Sequence, residues 1–225
     1  MKAISVEEVL AAVEKVLNRP QTPDPRPQTN RPAVFLDRDG TINEEMGYLG
    51  HPEQVKLIPN VAAALKTLKE KGFLLIVISN QSGVARGYFS EAEVEAVNKR
   101  LMELLREEGV TLDGVYYCPH HPFYGDRMDC DCRKPKPGLV ERAAIELPLD
   151  LDHSYVVGDH GVDIELARKL GLRSALVLTG HGQGEWERTR IQGGPDPDYV
   201  AQDLYSAAQW ILRDLRQRGR DSGSF

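Results

Sequence analysis

The stretch Ala33-Val34-Phe35-Leu36-Asp37-Arg38-Asp39-Gly40-Thr41 decides the fold class. A short, continuous apolar run that ends on turn residues reads as a strand buried on both faces. Gly40 lets the chain turn sharply away from the strand end. Backbone N–H groups after Asp37 then face an anion, as they do in phosphate-binding loops.

The pattern repeats outward from this point. Residues 61–71 read as a helix stopped by Gly72, and 73–79 as a central parallel strand. Ser90 opens a charged helix that runs to about residue 108, with Glu93 at capping-box spacing. Residues 115–118 read as a strand, 137–145 as a helix with Pro137 near its first turn, and 154–157 as a strand that runs into Gly158-Asp159. A helix over 163–170 closed by Gly171, a strand over 175–178 and a last helix within 199–215 complete the series. Repeated β-α-β units imply an α/β fold with a doubly wound parallel sheet. In such sheets ligands bind beyond the carboxyl ends of the strands. No internal repeat is visible.

Upstream, Ser5 and Glu8 have capping-box spacing, and Val6, Val9, Leu10, Val13, Val16 and Leu17 recur with helical period. Residues 1–19 therefore read as an amphipathic helix and 20–32 as a proline-rich linker. The helix docks its apolar stripe either on the main domain, spanning 33–215, or on a second subunit in a homo-oligomer. Residues 216–225 read as a frayed polar tail.

The chain has 225 residues, 41% hydrophobic and 28% charged, as suits a soluble α/β domain. A net charge of −6 argues against nucleic acid as partner but leaves room for a small phosphorylated molecule. No apolar run reaches the length of a membrane span, and the start lacks the pattern of a signal peptide. The expected location is the cytoplasm. The 3 cysteines are an odd number and lie close together, which disfavours a disulfide framework and favours a metal.

Three polar clusters follow three apolar strands and should converge: Asp37 to Thr41, Ser79-Asn80-Gln81, and Gly158-Asp159 with Asp163. Asp37, Asp39 and Asp159 repel one another unless a cation shares them, and Mg²⁺ prefers such oxygen ligands. Lys134, in a Cys-Arg-Lys-Pro stretch before a helix, can neutralise a phosphate. Asn80, Gln81 and Arg86 either contact substrate or brace the loop. Asp163 either caps its helix or stands behind the site. Cys118, His120, Cys130 and Cys132 make a full tetrahedral zinc set, with His121 in reserve. Such a zinc would be structural and would staple a polar loop with little apolar content. His51, His153 and His181 each read as a lone turn or surface residue.

DRDGT after the first strand, Ser79, Lys134 and GDHGVD, in that order, resemble the four motifs of the haloacid dehalogenase superfamily. FLDRDGTIN, GYL, SNQSGVARG, YYCPHHP and CDCRKPKPG are similar to the heptose bisphosphate and histidinol-phosphate phosphatases within it. The resemblance implies a Rossmann-like phosphatase domain with a zinc-stabilised loop and no large cap domain. It implies Asp37 as nucleophile and Asp39 as general acid and base. Mg²⁺ would be held by Asp37, the Asp39 backbone carbonyl and Asp159. Ser79 and Lys134 would hold the phosphoryl group, with Asn80 and Arg133 toward substrate. The implied substrate is a phosphosugar, D-glycero-D-manno-heptose 1,7-bisphosphate at its 7-phosphate. Histidinol phosphate or another phosphosugar is the alternative, and a non-catalytic zinc-stabilised scaffold is a third reading. One departure stands out: His160 occupies a position where the similar enzymes generally carry Lys. A group largely neutral near pH 7 thereby replaces a fixed cation, and His160→Lys is expected to flatten the pH dependence.

Overall fold

Strands buried on both faces need helices on both sides, and the apolar runs assemble accordingly. The structure, a computed structural model, describes residues 29–221. Among these, six strands form one sheet: β1 (Arg31–Leu36), β2 (Leu74–Asn80), β3 (Gly114–Cys118), β4 (Leu149–Gly158), β5 (Arg173–Val177) and β6 (Tyr199–Ala201). All neighbours are parallel and the order is β3-β2-β1-β4-β5-β6. Between and after them lie α1 (Val61–Glu70), α2 (Glu91–Glu107), α3 (Gly138–Glu146), α4 (Gly161–Leu170), α5 (Gly182–Gln192) and α6 (Leu204–Asp221). Among the described residues no inserted domain stands over the strand ends.

The two-residue period of β1 divides the core. Val34 and Leu36 pack in one layer with Leu65, Leu101 and Ile211 of α1, α2 and α6. Ala33 and Phe35 pack in the other with Leu139, Val140 and Leu166 of α3 and α4. Full burial of each such large side chain stabilises by about 1.5–3 kcal/mol, so the centre of the sheet is a firm base for a site. Across the sheet, Tyr155 donates to Asp214 Oδ2 at 2.9 Å and Arg173 to Asp214 Oδ1 at 2.8 Å, which ties α6 to β4 and β5.

Leu36 is in register with Val77 on one side and Val157 on the other. The carboxyl ends of β1, β2 and β4 are thus adjacent, and the strand order reverses between β1 and β4. Ser90 begins α2 with the expected capping box: its hydroxyl accepts from Glu93 N–H, and its own N–H donates to Glu93 Oε2 at 2.7 Å.

Several boundaries differ from the sequence reading. β1 starts at Arg31, inside the expected linker, because Arg31 N–H reaches Pro148 O at 2.9 Å. Pro32 is tolerated near the strand start, where the pairing with β4 shifts register. The last helix continues to Asp221, six residues into the expected polar tail. Arg and Gln are good helix formers, and Arg218 anchors this turn by donating to Asp152 O at 2.8 Å. Strand β6 and helix α5 were not expected. Only Gly182 of α5 is buried, so the helix carries no apolar stripe to read. The expected N-terminal helix and most of the linker lie outside the described residues.

Candidate active site

Asp37 follows the last residue of β1, in the sheet centre. Its Oδ1 accepts from the backbone N–H of Arg38 at 2.8 Å and lies 2.9 Å from Lys134 Nζ. The same ammonium sits 2.7 Å from Asp163 Oδ1. Lys134 and Asp163 are buried. Burial alone would neutralise Lys134, but Asp163 and Asp37 outweigh it and hold the ammonium well above its ordinary range. Asp163 Oδ2 also accepts from His160 N–H at 3.2 Å, so one carboxylate bridges Lys134 and the start of α4.

Asp37 itself is pushed up to about 7, first by burial and then by Asp163 and Asp159, against the pull of Lys134. Asp159, also fully buried, lies on the opposite flank at the end of β4. Ligand atoms of Asp37, Asp159 and His160 lie within 4.8 Å of one another. Buried carboxylates this close, one of them driven toward its neutral form, have the charge deficit that a divalent cation fills. The donor set therefore fits the metal the motifs imply.

Two glycines shape this corner. Gly40 (φ 75°) and Gly180 (φ 55°) are both left-handed, and a Cβ on either would collide with Asp159 Oδ2. That oxygen also accepts from the backbone N–H of His181 at 2.8 Å. His160 Nδ1 lies 3.0 Å from Asp159 Oδ1. Burial lowers its pKa, but the hydrogen bond and charge of Asp159 dominate and push it up to about 9. Beside an unshared carboxylate the protonated form of His160 is favoured over the neutral imidazole. A divalent ion on the same carboxylates draws it back down.

Asp39 turns its side chain back along the loop. Arg38, fully buried, grips it with Nε to Oδ1 at 3.1 Å and NH2 to Oδ2 at 2.7 Å. Asn43 and Gln81 add bonds at 2.8 and 2.9 Å. Burial pushes Asp39 up, yet Arg38, helped by Asn43 and Gln81, holds it below the usual carboxylate range. Gln81 also donates to Ser79 Oγ at 2.6 Å and so fixes the hydroxyl at the end of β2.

Asn80 braces the loop. Its carboxamide accepts from Lys134 N–H at 3.0 Å and donates to Lys134 C=O at 3.1 Å. Arg133 donates to His120 O at 3.1 Å, and so joins the loop that bears Lys134 to the cysteine cluster. In that cluster Cys118 Sγ lies 3.1 Å from Cys132 Sγ, 3.7 Å from Cys130 Sγ and 3.6 Å from His120 Nδ1. All four ligand atoms fall within 4.8 Å of one another. A tetrahedron with Zn–S near 2.3 Å has edges of about 3.8 Å, so the cluster needs only slight expansion to hold zinc. His121 points elsewhere, with Nε2 3.0 Å from Arg86 NH2, so His120 is the histidine that joins the three sulfurs.

A cavity of 410 Å³ opens over these strand ends. Asp37, Asp39, Ser79, Asn80, Arg133 and Lys134, all expected from sequence, line it. So do Glu45, Tyr48, Phe89 and His181, which sequence reasoning did not place there. His181 is not alone: its ring centroid is 4.7 Å from that of His160, and its Nε2 is 3.9 Å from Glu45 Oε2. The TGHG stretch directly after β5 was the available signal, since it follows a strand at the same sheet edge. Among the described residues no helix is long and apolar enough to cross a membrane.

Known proteins agree with this geometry. A family model described as HAD-hydrolase-like matches residues 131–207. The D-glycero-D-manno-heptose-1,7-bisphosphate 7-phosphatase of Thermosynechococcus vestitus is 44% identical over 195 residues, 84% of this chain and 99% of that protein. The D-glycero-beta-D-manno-heptose-1,7-bisphosphate 7-phosphatase of Escherichia coli K12 is 40% identical, covering 82% and 90%. A crystal structure of D,D-heptose 1,7-bisphosphate phosphatase from B. bronchiseptica, complexed with magnesium and phosphate, superposes with a TM-score of 0.72 at 30% identity, covering 81% and 99%.

Proposed function

The chain belongs to the family of D-glycero-D-manno-heptose-1,7-bisphosphate 7-phosphatases within the HAD-like hydrolases, and from that premise we propose that it releases the 7-phosphate of this sugar bisphosphate through an aspartyl phosphate on Asp37. The observation that carries the reading is the Asp37–Lys134–Asp163 chain, whose first two members line the cavity, with a ligand atom of Asp159 within 4.8 Å of one of Asp37. Arg133 adds positive charge to the same lining, which suits a second phosphate on one small polar body.

In the first step an Asp37 oxygen attacks phosphorus in line as the bond from phosphorus to the sugar oxygen breaks. The leaving oxygen takes a proton from Asp39. Asp39 rests ionised on Arg38, and the arriving phosphoryl charge raises its pKa and lets it enter the step protonated. In the second step Asp39 takes a proton from water, whose oxygen attacks the phosphorus of the aspartyl phosphate. Inorganic phosphate leaves and Asp37 is regenerated. Lys134 Nζ and Ser79 Oγ hold the phosphoryl oxygens, while Asn80 keeps Lys134 in place. Asp37, Asp159 and the Asp39 backbone carbonyl are the groups that would hold Mg²⁺. When bound, Mg²⁺ offsets charge between the nucleophile and the phosphoryl oxygens. Most of the acceleration then comes from positioning and preorganised charge.

The direct test is phosphate release with Mg²⁺ from the heptose bisphosphate and from histidinol phosphate. A preference of 100-fold or so in kcat/KM for the sugar, about 2.7 kcal/mol, supports the reading. Preference for histidinol phosphate would keep the chemistry and overturn the substrate.

A pH dependence follows from Asp37, which must be ionised to attack. Its carboxyl is held near 7 without a cation, so at limiting Mg²⁺ activity falls as pH drops below about 7. A cation favours the ionised form, so saturating Mg²⁺ moves the acid limb down by about one pH unit or more. Rate profiles at the two Mg²⁺ levels check this, and an acid limb indifferent to Mg²⁺ would part Asp37 from the cation.

We further propose that Cys118, His120, Cys130 and Cys132 hold structural Zn²⁺. Purified protein should carry zinc at one equivalent. Cys118→Ser should lose it and lower Tm by about 10 °C, since metal binding to such a loop is folding free energy. Metal analysis beside thermal melting reads both.

A further inference from the structure

The cation corner holds one nitrogen. His160 Nδ1 lies 3.0 Å from Asp159 Oδ1 and belongs, with Asp37 and Asp159, to a set of ligand atoms within 4.8 Å of one another. We infer that His160 is itself a metal ligand, so that the site takes a first-row ion such as Mn²⁺ in preference to Mg²⁺. The inference deepens the proposed function and rests on its reading of Asp37 and Asp159 as cation ligands.

Three features support it. Imidazole is a good ligand for first-row transition ions, whereas Mg²⁺ selects oxygen, so one nitrogen among carboxylates shifts preference along the series from Mn²⁺ upward. The ring is held from behind: His181 stands edge-on at 4.7 Å between centroids and an interplanar angle of 71°. His160 also starts α4, where Asp163 fixes its backbone N–H at 3.2 Å. A neighbouring ring and a fixed backbone thus both restrict where the imidazole can turn. A proton and a metal ion cannot both occupy Nδ1. The ion takes the place of the hydrogen that bridges His160 to Asp159, and the proton leaves to solvent.

The test uses the full chain with its cysteine cluster as purified, and Mn²⁺ as probe, because a hard ion leaves thiolates alone. Mn²⁺ binding is titrated by electron paramagnetic resonance with Mg²⁺ as competitor. Pulsed measurements then look for the ¹⁴N coupling of a directly bound imidazole. The inference expects Mn²⁺ to bind about tenfold or more tightly than Mg²⁺, with ¹⁴N coupling present. In H160Q and H160K the coupling should vanish and the preference collapse, while H181A should keep the coupling. Mn²⁺ bound in competition with Mg²⁺ but without ¹⁴N coupling would overturn the role of His160 and leave the carboxylate site intact. Coupling kept in H160Q and lost in H181A would move the ligand to His181 and also overturn it. Absence of any Mg²⁺-competed Mn²⁺ binding would bring down the cation reading of Asp37 and Asp159 together with this one.

Discussion

Asp37→Asn is expected to lower phosphate release by about 10⁴-fold or more, because a covalent mechanism has no substitute for its nucleophile. The amide keeps the shape and can still accept from Arg38 N–H, which bonds Oδ1 at 2.8 Å in the native chain. The fold should survive. Burial and two neighbouring carboxylates already push this group toward its neutral form, so a neutral replacement relieves repulsion. Without divalent metal the melting temperature of the variant should therefore equal or exceed that of the native chain, the usual sign of a site strained for activity. Phosphate release under saturating Mg²⁺ gives the first number and thermal melting in chelator the second. Activity retained within tenfold would remove Asp37 from the chemistry.

Lys134→Met carries the largest expected cost in stability. The ammonium is the shared partner of Asp37 and Asp163, at 2.9 and 2.7 Å, and Asp163 is wholly buried. Removing one member of a buried ion cluster leaves a charge without compensation, typically costing about 3–5 kcal/mol. At 2–4 °C per kcal/mol for a chain of this size, melting should fall by roughly 6–20 °C. Activity should drop by about 10²–10³-fold or more, as when one donor to a developing charge is lost. The double variant Lys134→Met with Asp163→Leu separates the two effects. It should recover much of the stability, because the orphaned carboxylate is gone, and none of the activity. Equal melting for the single and double variants would mean that Asp163 never bore the cost.

Much of the site can be read from chain order, because three of its parts close apolar runs. Asp37 after β1, Ser79 within β2 and Asp159 after β4 are adjacent for the same reason that their strands are buried. Residues on excursions away from the sheet are harder. Glu45, Tyr48 and Phe89 line the cavity from segments whose path depends on tertiary packing, which periodicity does not report. His181 looks like an isolated histidine until β5 is seen beside β4. For His160 residue type fixes only the unperturbed value, while a carboxylate 3.0 Å away shifts it upward, a neighbour that the local sequence pattern does not place. Asn80 makes two hydrogen bonds to one distant backbone residue while it lines the cavity, a pairing no local pattern contains.

The central position of β1 also has a consequence in time. The loop that bears Asp37 is sealed by partners made much later: Ala33 N–H donates to Ser154, 121 residues on, and Thr179 donates to Gly40 O across 139 residues. During synthesis Asp37 leaves the ribosome before β4 and β5, and its pocket cannot close until they have followed. In that interval one edge of β1 is bare and apolar, the kind of surface that invites wrong pairing or a chaperone. Recovery of phosphatase activity on refolding should accordingly lag the return of helical signal, which makes turnover a reporter of the last long-range strand to dock.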